Sequence, residues 1–105
     1  MAQMATLVVR RDSARDVKMR NVDVYIDGKM EGRIGYGETK SFDVQPGERH
    51  VKFDNTWAKK ELHLAFIEGG RREFIVGNVP GGCFVAGLAL AGAGPTQVFA
   101  EEVKP

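Results

Sequence analysis

Residues 22–53 alternate apolar and polar side chains, and short turn sequences interrupt the alternation at Asp27-Gly28 and Pro46-Gly47. A period of two is the pattern of a β-strand with one buried face. At such a break, glycine supplies the positive φ that tight turns require. The segment therefore predicts successive β-strands joined by short turns.

The same pattern continues through most of the chain. No segment places apolar residues at i, i+3, i+4 and i+7 over three helical turns, so no helix is predicted. Turn signals every 8–12 residues are typical of sandwiches and barrels. We predict an all-β fold: one domain over residues 1–105, an antiparallel β-sandwich (immunoglobulin-like or prealbumin-like) of about eight strands. The candidate strands are 5–11, 21–27, 30–34, 39–44, 49–54, 59–68, 72–77, 83–90 and 97–103.

The alternation also assigns a buried face to each strand, because successive side chains point to opposite sides. Asp23, Tyr25, Asp27, His50 and Lys52 fall on the outer face of their strands. The predicted core consists of Leu7, Val9, Val22, Val24, Ile26, Phe42, Val44, Val51, Phe53, Leu62, Leu64, Phe66, Phe74 and Val76.

Charge and composition exclude several classes of partner. Fifteen basic and fourteen acidic residues leave a net charge of +1, which gives no preference for a polyanion. The basic cluster is interrupted by Asp12 and Asp16 and contains no aromatic residue for base stacking, so no nucleic-acid partner is expected. It comprises Arg10, Arg11, Arg15, Lys18 and Arg20.

The longest apolar run, 81–94, is shorter than the roughly 20 residues of a membrane-spanning helix, so no span is expected. The first residues do not read as a signal peptide. We therefore expect a cytoplasmic location for the chain as written, and a cell-surface or periplasmic one if a longer precursor exists. The Gly/Ala-rich segment 83–93 has few bulky side chains, and we expect it to pack against its own sheet or against a second copy in a homo-oligomer.

His50 and His63 are the only histidines and the weak candidates for a metal site. If residues 55–58 form a hairpin loop, Asp54 pairs with Lys59, Lys52 with Glu61, and His50 with His63. If the connection instead crosses between sheets, this register is lost. A zinc site needs at least three protein ligands, and no third is evident, so no metal or other cofactor is expected.

Other catalytic patterns are absent from the sequence. Cys83 opens an apolar run and is expected to be a buried small hydrophobe. Ser13 and Ser41 lack a nucleophile-elbow sequence. Asp23 and Asp27 resemble solubilising charges on a strand face. The glycines lack the spacing of a phosphate-binding loop. No catalytic residue is assigned, and the chain is predicted not to be an enzyme.

Three aromatic residues fall outside the predicted core and are the candidate binding residues. Trp57 lies in a connection, Tyr25 faces outward between two aspartates, and Tyr36 lies in a glycine turn. Tyrosine and tryptophan are enriched at binding surfaces because they combine a large apolar area with a polar group. For Trp57 the alternative is that it folds over the open end of the sandwich.

The order of strand, V-x-I-D-G-K, short strand, G-E, strand and P-G-x-x-x-V resembles that of PEGA-type β-sandwich modules and related small bacterial domains of unknown function. The motifs here are residues 24–29, 37–38 and 46–51. The resemblance covers about residues 5–77. It implies an immunoglobulin-like or prealbumin-like sandwich, often extracytoplasmic, and transfers no functional residue.

Two functions follow as hypotheses. The first is a non-enzymatic binding module that contacts a protein or a glycan through loop aromatics and strand edges. The alternative is a minimal metal-dependent hydrolase or metal-binding protein that uses His50 and His63.

Overall fold

The computed structural model describes residues 3–14, 16, 21–56, 58–80 and 96–103. These residues form strands and their connections. None of the described residues belongs to a helix long and apolar enough to cross a membrane. The strands are β1 (Ala5–Arg10), β2 (Val22–Ile26), β3 (Lys29–Ile34), β4 (Thr39–Val44), β5 (Gly47–Asp54), β6 (Lys59–Phe66), β7 (Arg71–Pro80) and β8 (Thr96–Val103).

The strands form two four-stranded sheets, and the all-β sandwich predicted from the sequence is confirmed. Sheet A has the order β4-β1-β7-β8, and sheet B has the order β3-β2-β5-β6. Every hydrogen-bonded pair is antiparallel except β1 with β7, which is parallel. In an immunoglobulin constant domain the first two strands share a sheet, whereas here β1 and β2 belong to different sheets.

The two turn sequences of the alternating segment have the expected backbone. Asp27 has φ 51° and Gly28 has φ 83°, so both central residues have the positive φ of a type I′ turn. Gly47 has φ 107°, in keeping with its place after Pro46 in a turn that requires a positive φ. Local turn chemistry therefore sets the connections of this segment.

The hairpin register predicted for β5 and β6 is confirmed. Asp54 pairs with Lys59, Lys52 with Glu61, and His50 with His63. Residues 55–58 therefore connect neighbours within sheet B and do not cross between the sheets.

The core lies between the sheets and contains every residue predicted for it. Phe42 and Leu62 are only partly buried, whereas the others are buried. Ala5, Ile34 and Val98 join the core in addition. Face assignment by alternation thus works for most strands, because each sheet buries one face.

Strand β7 is longer than predicted. Its pairing with β8 continues to Pro80, opposite Thr96, whereas the sequence predicted an end at Gly77. Pairing with β1 stops at Ile75, so among the described strands only β8 flanks the last part of β7. A proline without an N–H is tolerated where a strand has a neighbour on one side only. The predicted strand 83–90 and Cys83 lie outside the described residues.

We expect Ile26→Asp to abolish cooperative unfolding, because Ile26 is 8% exposed and an unpaired carboxylate would enter the core. Met30→Asp is the control, because Met30 is 42% exposed, and exposed substitutions change stability by about 0.5 kcal/mol or less. Urea denaturation followed by circular dichroism measures both variants. A cooperative, near-native transition for Ile26→Asp would contradict the face assignment.

Candidate functional site

Three described connections lie at one end of the sandwich, which we call the loop end. They are the described residues 11–14, 16 and 21 after β1, the β3–β4 turn at 35–38, and residues 55, 56 and 58 of the β5–β6 hairpin loop. The strand registers place them together, because Val22 pairs with Ile34, and Asp23 pairs with Asp54. The opposite end carries the turns 27–28, 45–46 and 67–70.

A fully buried arginine joins the two sheets at the loop end. The Arg11 side chain is 0% exposed and binds the Asp16 carboxylate through Nε (2.7 Å) and Nη2 (3.2 Å). Its Nη1 donates to the backbone oxygen of Ile34, in sheet B, at 3.2 Å. The Arg11 backbone accepts from Gly37 N and donates to Glu38 O. One residue after β1 thus ties sheet A to the β3–β4 turn and to the end of β3.

Asp16 continues the hydrogen-bond pattern of β7 where β1 has ended. Its Oδ1 accepts from the backbone N–H of Asn78 at 3.3 Å. This is three residues beyond the last β1–β7 pair, which involves Ile75. A Cβ atom at Gly77 would lie 2.7 Å from Asp16 Oδ2 and 2.7 Å from Phe99 Cε1. Gly77 is therefore required by the close approach of the carboxylate to the strand.

A second buried contact fastens the hairpin loop to the core. Asn55 Nδ2 donates to Asn78 Oδ1 at 2.9 Å, and the two residues are 1% and 0% exposed. Asn55 also closes its own loop, because its Oδ1 accepts from Ala58 N at 2.6 Å and its N–H donates to Ala58 O. We call Arg11, Asp16, Asn55 and Asn78 the buried polar chain.

A shallow polar depression of about 200 Å³ opens at the loop end. An ion pair forms one wall, with Arg33 Nε 2.7 Å from Asp23 Oδ1. Hydrogen bonding to Asp23, reinforced by its charge, raises the pKa of Arg33 above the ordinary value. Thr56 has φ 83°, which is rare for a β-branched residue, and its N–H donates to Asp54 Oδ1 at 2.7 Å. The lining residues are Asn21, Asp23, Arg33, Asn55 and Thr56.

The outer face of sheet B carries the predicted histidine pair. The rings of His50 and His63 have centroids 5.2 Å apart and are tilted by 54°. Glu61 Oε1 lies 3.1 Å from His50 Nε2. Within the described parts of the chain, no group of three His, Cys, Asp or Glu residues is arranged to hold a metal ion. On the described part of the sheet, His63 is exposed and the His50 side chain is 32% exposed.

The predicted binding aromatics do not form one cluster. Tyr25 is half-buried on the outer face of β2, and Lys52 Nζ lies 4.3 Å from its ring centroid. Tyr36 is 39% exposed in the β3–β4 turn. Because Val22 pairs with Ile34, the two tyrosines are at least roughly 10 Å apart along the strands. Trp57 lies outside the described residues.

Sequence reasoning missed the buried polar chain. It grouped Arg11 with neighbouring basic residues and did not identify it as buried, whereas the side chain is 0% exposed. The alternation of the strand could have indicated this burial, because Arg11 continues the inward-facing series of Leu7 and Val9. Asp23 and Asp27 were read as solubilising charges, and each has an arginine partner: Asp23 pairs with Arg33, and Asp27 with Arg49.

We expect Asp16→Ala to lower the free energy of unfolding by about 3–5 kcal/mol, because it leaves the Arg11 guanidinium buried without its counter-charge. The double variant Arg11→Met/Asp16→Leu should lose less unfolding free energy, since it leaves no uncompensated charge in the core. Urea denaturation measures both. If Asp16→Ala lowers the free energy of unfolding by less than the double variant does, the buried Arg11 side chain does not require the Asp16 carboxylate.

Asp27 gives a pH-dependent prediction. The backbone N–H of His50 lowers the pKa of Asp27 below 3.8, and Arg49 lowers it further. A lowered pKa stabilises the fold above the unfolded-state pKa, and this contribution is lost as the pH falls through the folded-state value. Asp27→Asn keeps an acceptor oxygen and tolerates positive φ, but it lacks the charge. We expect the variant to be less stable at neutral pH and to match the native chain in acid below the Asp27 pKa.

The measurement is the urea midpoint of both chains across the acid range. Asp43→Asn is the control, because Asp43 is an exposed aspartate of β4 and the substitution removes the same charge. If the urea midpoints of Asp27→Asn and the native chain still differ by the same amount below the Asp27 pKa, the electrostatic explanation is wrong.

Comparison with known proteins adds no relative. No protein-family model matches the chain, and no curated protein matches it. The resemblance to PEGA-type modules therefore stays a prediction.

Proposed function

We propose that the chain is a non-enzymatic binding module whose loop end contacts a protein or a glycan. The observation that carries the proposal is the polar depression, whose wall residue Asn55 is itself a member of the buried polar chain. A binding surface of connections on a fixed scaffold is a common arrangement in β-sandwiches.

The buried polar chain gives these connections a fixed geometry. Arg11 joins residues from the β1–β2 connection, the β3–β4 turn and β3, and Asn55 is anchored to β7 through Asn78. A surface that is ordered before binding avoids part of the entropy cost of association. The loop end is therefore suited to recognition without a large rearrangement.

The lining of the depression favours hydrogen-bonded recognition. Asn21 and Asn55 carry amides, Thr56 a hydroxyl, and Asp23 and Arg33 a carboxylate and a guanidinium. These groups supply donors and acceptors in one small area, which suits sugar hydroxyls or a peptide backbone. Asp23 and Arg33 are paired with each other, so neither is arranged as an isolated acid or base.

The loop aromatics complete the proposed surface. Tyr36 lies in one connection of the loop end, and Trp57 follows the lining residue Thr56 in the sequence. Aromatic rings add apolar contact area beside polar recognition. Tyr25 belongs to the outer face of sheet B and would serve a partner that extends over that face.

A hydrolase or metal-binding protein is the second candidate, and the adjacency of His50 and His63 is the observation that favours it. It would require a third ligand or a bound water on the outer face of sheet B. Zinc calorimetry on the native chain and on His50→Ala tests this alternative. Zinc binding that the variant loses, together with zinc-dependent ester hydrolysis, would replace the binding module as the function.

The binding proposal predicts a fluorescence response, because Trp57 is the only tryptophan. Panels of soluble oligosaccharides and peptides are titrated against the native chain, and every positive is repeated on Thr56→Arg. Arginine at position 56 would fill the depression while relieving a β-branched residue of its positive φ. We expect it to weaken binding at least about tenfold, or ~1.4 kcal/mol.

Ile67→Arg is the matched control, because Ile67 is 76% exposed at the opposite end. It should leave the affinity unchanged. Recognition at the loop end would be contradicted if Thr56→Arg bound a ligand as tightly as the native chain. It would also be contradicted if Thr56→Arg and Ile67→Arg lost the same amount of affinity.

A further inference from the structure

Strand β6 is the terminal strand of sheet B, and among the described residues no strand pairs with its outer edge. It pairs with β5 over eight consecutive residue pairs without a register shift. Glu61, His63 and Ala65 are exposed along it. An unprotected strand of this kind is a template for another strand.

The hydrogen-bond pattern identifies which backbone groups lie at this edge. Asn55 N–H donates to Ala58 O, so the pair 55/58 is hydrogen-bonded, and the pairs alternate from there. It follows that the backbone N–H and C=O groups of residues 59, 61, 63 and 65 point away from β5. The contact of Arg72 Nη1 with Ala65 O, at 2.9 Å, agrees with this assignment. That guanidinium occupies one end of the edge and leaves the segment around Leu62 as its centre.

The side chains of this segment are complementary to themselves. Glu61 and His63 are two residues apart and share the outer face of sheet B. If two copies of β6 pair antiparallel about a two-fold axis at Leu62, each Glu61 lies opposite the second copy's His63. Opposed residues with these side chains attract or share a hydrogen bond, and Leu62 meets its own copy on the other face. We propose that the chain self-associates by this β6–β6 pairing, which joins two copies of sheet B into one continuous sheet.

Neighbouring registers are less favourable. A two-fold axis at Glu61 places the two carboxylates opposite each other, and like charges in that position are destabilising. An axis at His63 pairs Glu61 with Ala65, whose carbonyl oxygen already accepts from Arg72. With the axis at Leu62, Ala65 faces Lys59 at the end of the pairing, so the contact of Arg72 with the Ala65 oxygen touches only the terminal pair and leaves the central Glu61–His63 pairs intact.

The other described edges lack this combination. Strand β3 has a register shift opposite Val24 and Tyr25, and Lys40 Nζ bonds to the backbone oxygen of Arg33. In β4, the charges of Lys40 and Asp43 are three residues apart and therefore on opposite faces. In β8 the charged residues are Glu101 and Glu102, which have the same sign.

Sedimentation equilibrium from micromolar to near-millimolar concentration tests the proposal. We expect a monomer–dimer equilibrium for the native chain. His63→Glu places two glutamates opposite each other at both symmetric positions and should weaken dimerisation about tenfold. The charge exchange Glu61→Lys/His63→Glu should restore it, because each lysine then faces a glutamate. An equimolar mixture of Glu61→Lys with His63→Glu should dimerise more strongly than either variant alone.

Glu31→Lys makes the same charge change as Glu61→Lys, but on β3 at the opposite edge of sheet B. It should leave dimerisation unaffected. Circular dichroism confirms the fold of each variant. A native chain that stays monomeric throughout the concentration range overturns the proposal. A dimer that no β6 variant changes also overturns it, and it would place the contact elsewhere, for example in segment 83–93. None of these outcomes depends on a ligand at the loop end.

Discussion

The buried ion pair between Arg11 and Asp16 is the contact on which the loop end depends. Both side chains are 0% exposed, although removing two charges from water is costly. The cost is offset by two hydrogen bonds within the pair, by the backbone oxygen of Ile34, and by the backbone N–H of Asn78. Apolar residues would pack the same space, but they would not hold the β1–β2 connection against β7.

The two ends of the sandwich are therefore organised by different physics. At the opposite end, which carries the turns 27–28, 45–46 and 67–70, local turn residues such as Asp27 and Gly28 have positive φ, and the contacts of Asp27 with His50 and Arg49 are exposed. At the loop end, residues far apart in sequence are joined by buried hydrogen bonds, with Asn55 bound to Asn78. Such bonds are costly to leave unmade, so they favour one arrangement of the loops.

The sequence predicted those features that depend on local or periodic patterns. Alternation identified the core faces, and opposite charges at Lys52 and Glu61 supported the hairpin register that the structure has. It did not predict the position of Asp16, because a carboxylate in an irregular connection has no period that relates it to β7. Arg11 was considered only as one of several neighbouring basic residues, although its position two residues after Val9 in the inward series indicated the core.

The loop end and the β6 edge use separate parts of the molecule, and this separation bears on what the module can do. The depression lies beyond the ends of the strands, whereas β6 pairs along its side. Antiparallel pairing of two β6 strands directs the two loop ends in opposite directions. A dimer of this form would bind two sites on one extended partner, or on two partners, without either surface being covered. Linking two sites in this way raises the effective affinity only where the partner's spacing matches the dimer, so the β6 contact would add selectivity for repeated or clustered targets.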